Sequence, residues 1–210
     1  MSTYPQRVAD NILPLSLAGT LPEAFGEWFF TDNVEDHEDS EEVCQLCDQE
    51  QLRYHFEIEN RNTGGRLWVG SSCILKFDVQ VFEDGELLDQ GMARKKLESI
   101  KNKMRLDSCI RALELVSQKE SNGILSNALK YYQKNKYLTP KQAFVVLWRL
   151  KEHSIDHSAS FFKVSLKRNK YKDDLRDMSL SKVHVIWPAL TSAQRNLATS
   201  FGHIPPKEGI

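Results

Sequence analysis

The sequence is poor in cysteine, in long apolar runs and in signals for export from the cell. Only four of its 210 residues are cysteine, and no apolar run approaches the length that a membrane-spanning helix needs. The N-terminal segment MSTYPQRVADN lacks the basic region followed by an apolar stretch that marks a signal peptide. We therefore expect no membrane association and a cytoplasmic location, where closely spaced cysteines indicate metal or redox chemistry more often than a disulfide.

The sequence also lacks the common catalytic signatures. It contains no G-x-S-x-G motif, no phosphate-binding P-loop and no H-E-x-x-H motif. His153, Asp156 and His157 lie close together, but at the end of a predicted helix, where a capped and solvated turn is the simpler interpretation. A nuclease would need carboxylates that converge near a histidine or lysine, and the acidic loop 32–42 offers them by composition alone. We expect a non-enzymatic protein, with a metal-dependent activity as the alternative.

The most informative stretch contains three of the four cysteines. Cys44 and Cys47 are separated by two residues, a spacing that lets a tight turn aim both sulfurs at one point. Two predicted strands follow, Leu52–Ile58 and Arg66–Val69, joined by the turn sequence N-T-G-G, and Cys73 comes soon after them. A treble-clef zinc finger has the same order of elements: a knuckle that carries two ligands, a hairpin, and a further ligand that opens a short helix. Structural zinc takes four thiolate or imidazole ligands in a tetrahedron, so the sequence predicts a zinc site here.

The identity of the fourth ligand stays open at this point. A treble clef usually carries two ligands three residues apart on its last helix, but the residue three after Cys73 is Lys76, which cannot coordinate while it is charged. We favour His37, which lies in the acidic loop, where carboxylates could orient its ring although they also favour its protonated form. The alternatives are Cys109, which lies beside an apolar helix stripe, and His55, which lies in the middle of a predicted strand.

These residues carry a resemblance to a known family. The pattern C-x-x-C, then L-R-Y-H-F-E-I-E-N, then T-G-G-R-L-W-V-G-S-S-C-I, resembles small zinc-finger-like proteins encoded by bacteriophages and other mobile elements of bacteria. The segment L-T-P-K-Q at Leu138–Gln142 is similar to one found downstream in such proteins. That family is largely without assigned function, so the resemblance implies a zinc module, a mobile-element origin and a bacterial host cell. Lys76 departs from the better-known treble clefs, and their scheme of DNA contacts is therefore not carried over.

The net charge of -1 conceals two halves of opposite sign. Residues 1–90 contain 5 Lys and Arg against 19 Asp and Glu, a balance of -14, whereas residues 91–210 contain 23 against 10, a balance of +13. The apolar pattern also changes near residue 91 from alternation to helical spacing. We predict an N-terminal arm, a helix and an acidic zinc-binding β module over 1–90, and a basic helical region over 91–210. Either the halves neutralise each other across an internal interface, or each half meets a different partner.

The predicted fold class is α+β, with a small zinc-stabilised antiparallel β-hairpin module followed by a mainly α-helical C-terminal half. Thr20–Glu23 is typical of a capping box, and the helix that it opens is expected to reach Phe29. A second hairpin turns at Asp84–Gly85, and an amphipathic helix runs from about Gly91 to Ser117. Further helices are predicted after Gly123, after capping boxes at Thr139–Gln142 and Thr191–Gln194, and over 160–176 with a turn near Asn169, while residues 183–187 fit a helix or a strand.

Basic residues in the second half predict a nucleic-acid-binding surface. One group forms a ridge on the first long helix, and two later stretches interleave lysines with tyrosines. Such mixtures neutralise phosphates and stack on bases. The predicted contact residues are Arg94, Lys95, Lys96, Lys101, Lys103, Lys130, Tyr131, Lys134, Lys167, Arg168, Lys170 and Lys172.

Two hypotheses about function follow from these observations. The first is a non-enzymatic, zinc-stabilised nucleic-acid-binding accessory protein of a bacteriophage or mobile element, with DNA or RNA as its partner. The second is a protein-interaction inhibitor of a host defence complex, an anti-CRISPR-like or other anti-defence factor, which would place its charged faces on a host protein. The charge asymmetry suits both hypotheses.

Overall fold

The computed structural model describes residues 3–207, and the chain divides between Lys101 and Asn102 into two compact units. The predicted α+β class is confirmed, since a small antiparallel sheet lies early in the chain and the second half is mainly helical. The predicted boundary between residues 90 and 91 falls at the start of a long helix, and the units divide later within that helix. In chain order the elements are α1 (Tyr4–Ile12), α2 (Leu21–Phe25), β1 (Trp28–Asp36), β2 (Tyr54–Asn60), β3 (Arg66–Val69), α3 (Ser71–Lys76), β4 (Phe82–Glu83), β5 (Glu86–Leu87), α4 (Gln90–Lys119), α5 (Ile124–Asn135), α6 (Pro140–Glu152), α7 (Asn169–Arg176), α8 (Leu180–Ile186) and α9 (Ser192–Ser200).

The first unit is built on a three-stranded sheet in the order β1-β2-β3, with both neighbouring pairs antiparallel. Phe30 lies opposite Ile58, and Ile58 lies opposite Leu67, so these buried side chains share one face of the sheet. Trp28 is fully buried beside them, and its Nε1–H donates to the Ser16 hydroxyl at 2.9 Å. The predicted hairpin of β2 and β3 is therefore present, and it supplies much of the core of this unit.

The helix that we predicted to reach Phe29 is shorter than expected. α2 ends at Phe25, and Trp28 opens β1, where it pairs with Asn60. Consecutive aromatic residues fit a pleated and half-buried strand, and pairing with β2 overrides the helical spacing of the apolar side chains. The acidic loop is also shorter than predicted, because residues 32–36 continue β1 after an irregularity in its register.

The second unit has a helical core in which α6 packs against α5, α7 and α8. The predicted capping box before α6 is present: the Thr139 hydroxyl accepts from the Gln142 N–H at 3.3 Å, and the Gln142 side-chain oxygen accepts from the Thr139 N–H at 3.1 Å. Thr191 and Gln194 form the second predicted box before α9. Residues 183–187 are helical, in α8 and the single turn after it. Fully buried side chains in this core include Leu113, Leu125, Leu138, Leu150 and Phe162.

The helix predicted over residues 160–176 is wrong in its first half, since α7 begins only at Asn169. Part of the chain before it is extended, because Val164 forms a parallel bridge with Leu138. The Ser165 N–H donates to the Leu138 carbonyl at 2.9 Å, and Val164 and Ser165 are buried. This pairing depends on residues distant in sequence, so a local periodicity does not reveal it.

We predict that Thr139→Ala lowers the free energy of unfolding of the second unit by about 1 kcal/mol, because the Gln142 N–H loses its acceptor. Thr20→Ala is a matched control, since the Thr20 hydroxyl donates to the Glu23 carboxylate at 2.9 Å and caps no backbone N–H. We expect the control to change stability by less than about 0.5 kcal/mol. Urea unfolding followed by circular dichroism measures both variants, and equal losses would contradict a stabilising role for the Thr139 box.

Candidate metal centre and nucleic-acid interface

Cys44 and Cys47 lie on a tight turn that is fixed to the sheet. The Cys44 N–H donates to the Gln49 carbonyl at 2.9 Å, which closes the turn. Gln45 attaches the turn to β3 twice: its N–H donates to the Trp68 carbonyl at 3.0 Å, and its side-chain oxygen accepts from the Trp68 N–H at 2.8 Å. The sheet therefore sets the position of both sulfurs.

Cys73 reaches the same point from α3. Its sulfur lies 3.7 Å from the Cys44 sulfur and 3.3 Å from the Cys47 sulfur, and all three side chains are buried. The three ligand atoms lie within 4.8 Å of one another, and no other group of three or more His, Cys, Asp and Glu side chains within residues 3–207 is arranged in this way. The structure thus brings the three predicted cysteines together at a point that could hold a metal ion.

The sulfur positions fit a tetrahedral ion. A zinc–sulfur bond of about 2.3 Å places two sulfurs of a tetrahedron about 3.8 Å apart, and the two observed separations, 3.3 and 3.7 Å, are slightly shorter. A disulfide needs about 2.05 Å, and all three cysteines are free thiols. The arrangement therefore suits a shared soft cation better than a disulfide.

Hydrogen bonds favour the ionised form of Cys44 at neutral pH. A sulfur–sulfur hydrogen bond with Cys73 and others from the N–H groups of Gly70, Leu46 and Cys47 outweigh burial and lower the pKa of Cys44 to about 5. The same thiol contact raises the pKa of Cys73, and burial raises the pKa of Cys47. Cys44 is therefore the most readily ionised of the three thiols, and those still protonated would release their protons on binding a cation.

Lys76 occupies the position where a treble clef carries its fourth ligand, and its ammonium group is engaged elsewhere. Lys76 Nζ lies 3.8 Å from the centre of the Tyr4 ring, a favourable cation–π distance. Burial raises the pKa of Tyr4, and the charges of Cys73 and Cys47 raise it further, while Lys76 opposes this. The pKa of Tyr4 therefore reports both the neighbouring Lys76 ammonium group and the nearby cysteines.

The structure does not bring His37 to the three sulfurs. Its ring meets His55 edge-on with 5.0 Å between ring centres, and its nitrogens lie 3.7 Å and 3.8 Å from the carboxylates of Glu35 and Glu42. His37 Nε2 is buried and has no hydrogen-bond partner in the described part of the chain. Coordination by His37 therefore stays a prediction, and it requires the loop before Cys44 to rearrange.

The two alternative ligands also make other contacts. His55 Nε2 lies 3.1 Å from the Val43 carbonyl oxygen. Cys109 lies in the core of the second unit, and its thiol donates to the Asp156 carbonyl at 2.8 Å. The Asp156 carboxylate pairs with Arg105 at 3.2 Å, which agrees with a structural role for that turn.

The predicted basic ridge on α4 is only partly available to a ligand. Lys96 Nζ lies 2.6 Å from the Asp32 carboxylate and donates to the Phe82 carbonyl at 2.5 Å. Lys101 pairs with Glu98 at 2.8 Å. The remaining predicted cations of this ridge are exposed, and within residues 3–207 they form no ion pair: Arg94, Lys95 and Lys103.

The structure joins the two later basic stretches into one surface. The bridge between Leu138 and Val164 sets the chain before α6 alongside the chain before α7, and the hydroxyls of Tyr131 and Tyr171 lie 3.1 Å apart. Lys130 on α5 is exposed, and Lys172 on α7 is partly buried. We call this region the composite basic surface, and its exposed cations, which form no ion pair among the described residues, are Lys134, Lys136, Lys163, Lys167, Arg168 and Lys170.

The tyrosines connect the parts of this surface and do not present open ring faces. Tyr171 is buried, and the partly buried Tyr131 ring meets Tyr137 edge-on at 5.8 Å. Hydrogen bonds with Tyr137 and Tyr171 raise the pKa of Tyr131, so its hydroxyl stays protonated. Lys136 and Lys163 lie in the two predicted basic stretches although they are not among the predicted contact residues, and the parallel bridge sets their two segments side by side.

Comparison with known proteins adds no family to this picture. No protein-family model, curated protein or solved structure matches the chain. Across residues 3–207, none of the helices combines the length and the apolar character needed to cross a membrane. Any inference about function therefore rests on the cysteine cluster and on the composite basic surface.

We predict that Lys96→Ala lowers the free energy of unfolding of the first unit by about 1–3 kcal/mol, because the Phe82 carbonyl and the Asp32 carboxylate lose a charged donor. Lys95→Ala, one residue earlier on the same helix, removes an exposed cation and should change stability by less than about 0.5 kcal/mol. Thermal unfolding of the two variants measures the difference. Equal melting temperatures would show that the Lys96 contacts contribute nothing to stability.

Proposed function

We propose that this protein is a zinc-stabilised, non-enzymatic nucleic-acid-binding accessory protein of a bacteriophage or mobile element, acting in the cytoplasm of a bacterial host cell. The observation that carries the nucleic-acid function is the convergence of two basic stretches on the composite basic surface. The cysteine cluster supports the structural zinc.

The zinc proposal rests on donor chemistry and burial. Three buried sulfurs on a knuckle and a helix are soft ligands of the kind that zinc prefers. In this proposal Cys44, Cys47 and Cys73 are the sulfur ligands, and His37 supplies the fourth donor in the metal-bound form. The ion would act as a cross-link between the knuckle and α3, and its role would be structural rather than catalytic.

The nucleic-acid proposal rests on exposed cations that form no ion pair among the described residues. An exposed lysine that already forms an ion pair must break it to bind a phosphate, whereas the six cations of the composite basic surface carry no such cost. They lie on two chain segments held by the backbone bridge and by the tyrosine hydroxyls, so their spacing is largely fixed before binding. Preorganisation of this kind reduces the entropy lost on association.

For zinc, we expect the purified protein to contain about one zinc ion per chain by mass spectrometry, because three buried cysteine sulfurs already meet at one point in the folded chain. Cys44→Ser, Cys47→Ser and Cys73→Ser should each lose most of the metal and lower the melting temperature. Cys109→Ser is the matched control, since this cysteine lies in the other core and should leave the zinc content unchanged. A metal-free protein that melts at the same temperature with and without added zinc would contradict the proposal.

For nucleic acid, we expect fluorescence anisotropy to show binding that weakens steeply with salt, because phosphate contacts release counterions. The triple variant Lys134→Glu, Lys167→Glu, Lys170→Glu should weaken binding more than about tenfold at low salt and reduce the log–log salt slope by about 2.

The triple variant Arg94→Glu, Lys95→Glu, Lys103→Glu changes the net charge equally and serves as the control. Equal losses in the two triple variants would contradict the special role of the composite basic surface, because the exposed cations of the α4 ridge, which were also predicted to bind, would then contribute as much. No binding of DNA or RNA even at low salt would overturn the nucleic-acid function and favour a protein partner for the basic half.

A further inference from the structure

An open cavity lies between α6, α7 and α8 in the second unit. Its volume is about 530 Å³, within the range of small-ligand sites. Phe144, Val145 and Met178 supply an apolar floor, and the Phe144 ring is stacked on Trp148 with 6.1 Å between ring centres and 9° between planes. A flat aromatic ligand suits such a floor, because aromatic rings gain contact area by offset stacking.

The rim of the cavity carries charges of both signs. Lys141 pairs with the Asp174 carboxylate at 2.6 Å, and Lys182 Nζ lies 5.4 Å from the centre of the Phe144 ring. Asp177 also lines the cavity; it is exposed, and its carboxylate forms no ion pair within the described residues. The rim therefore offers an acceptor at Asp177 and a donor at Lys182 to the edge of a planar ligand.

One helix, α7, contributes residues both to the composite basic surface and to the lining of the cavity. Lys170 belongs to that surface, and Asp174 lies four residues later on the same face of the helix. α6 begins directly after the bridged residue Leu138, and Lys141 lies in its first turn. A strand whose phosphates lie along the basic surface can therefore direct one base into the cavity.

We propose that this cavity binds one unstacked nucleobase, with guanine preferred, of a single strand held at the composite basic surface. The inference rests on the proposed nucleic-acid function. Guanine presents two adjacent N–H donors, at N1 and at the 2-amino group, to a carboxylate such as that of Asp177, and its O6 can accept from a lysine such as Lys182. Thymine presents one N–H between two carbonyl oxygens, which a carboxylate disfavours.

The test compares a labelled thymidine homopolymer with the same strand carrying a single central guanine, using anisotropy and the full-length protein. We expect the guanine strand to bind about tenfold more tightly, the effect of placing one base in an aromatic site. Asp177→Asn removes the acceptor, and Ser179→Trp fills the cavity from its edge; each should abolish the preference and leave homopolymer binding in place. Asp173→Asn makes the same charge change on α7 at a residue that does not line the cavity, and should retain the preference.

The outcomes separate this inference from the proposed function. Equal affinity of the wild-type protein for both strands, or a preference that survives Ser179→Trp, would overturn the nucleobase site and leave nucleic-acid binding intact. If neither strand binds, the proposed function fails. A titration with guanosine monophosphate then tests separately whether the cavity binds a nucleobase. A saturable shift of the Met178 methyl resonance that Ser179→Trp abolishes would support the cavity as a base site, and no shift would overturn it.

Discussion

Three cysteine sulfurs that meet in one buried site set the organisation of the first unit. The contacts of Cys73 with Cys44 and Cys47 span 29 and 26 residues, and the hairpin of β2 and β3 lies between their ends. A cross-link that closes a loop of this length stabilises a fold by about 3.5 kcal/mol in the loop-entropy model. We propose that a shared metal ion supplies this cross-link, because the three buried sulfurs lie within 4.8 Å of one another and could hold one.

The structure shows which of the many basic residues in the second half of the sequence are free to bind a ligand and which are held by internal contacts. Total charge alone would assign the same role to every lysine after residue 90, yet Lys96 is bound to Asp32 and Phe82 within the first unit. The cations of the composite basic surface have no such internal partners among the described residues. The distinction between structural and available cations is what makes a phosphate-binding proposal specific, because only the available ones can release counterions on binding.

Most features that depend on neighbours in sequence could be predicted, although the capping box expected at Thr20–Glu23 does not form, since the Thr20 side chain caps no backbone N–H. The cysteine knuckle, the hairpin after it, α4 and the capping boxes at Thr139 and Thr191 each carry a local signal of spacing or turn chemistry. The strand at Trp28 and the extended segment at Val164 could not be predicted in this way, because each is set by pairing with a distant segment that overrides local periodicity. The same reason explains the composite basic surface, and the place of the His37 ring beside His55 also follows from strand pairing.

The central claim is that a zinc ion bound by three sulfurs holds the first unit together. X-ray absorption at the zinc edge of the purified protein tests it most directly, because the method counts sulfur and lighter ligands around the metal. The account predicts three sulfurs at about 2.3 Å and one nitrogen or oxygen at about 2.0–2.1 Å. A zinc shell of nitrogen and oxygen alone, or a folded protein that holds no zinc, would contradict it.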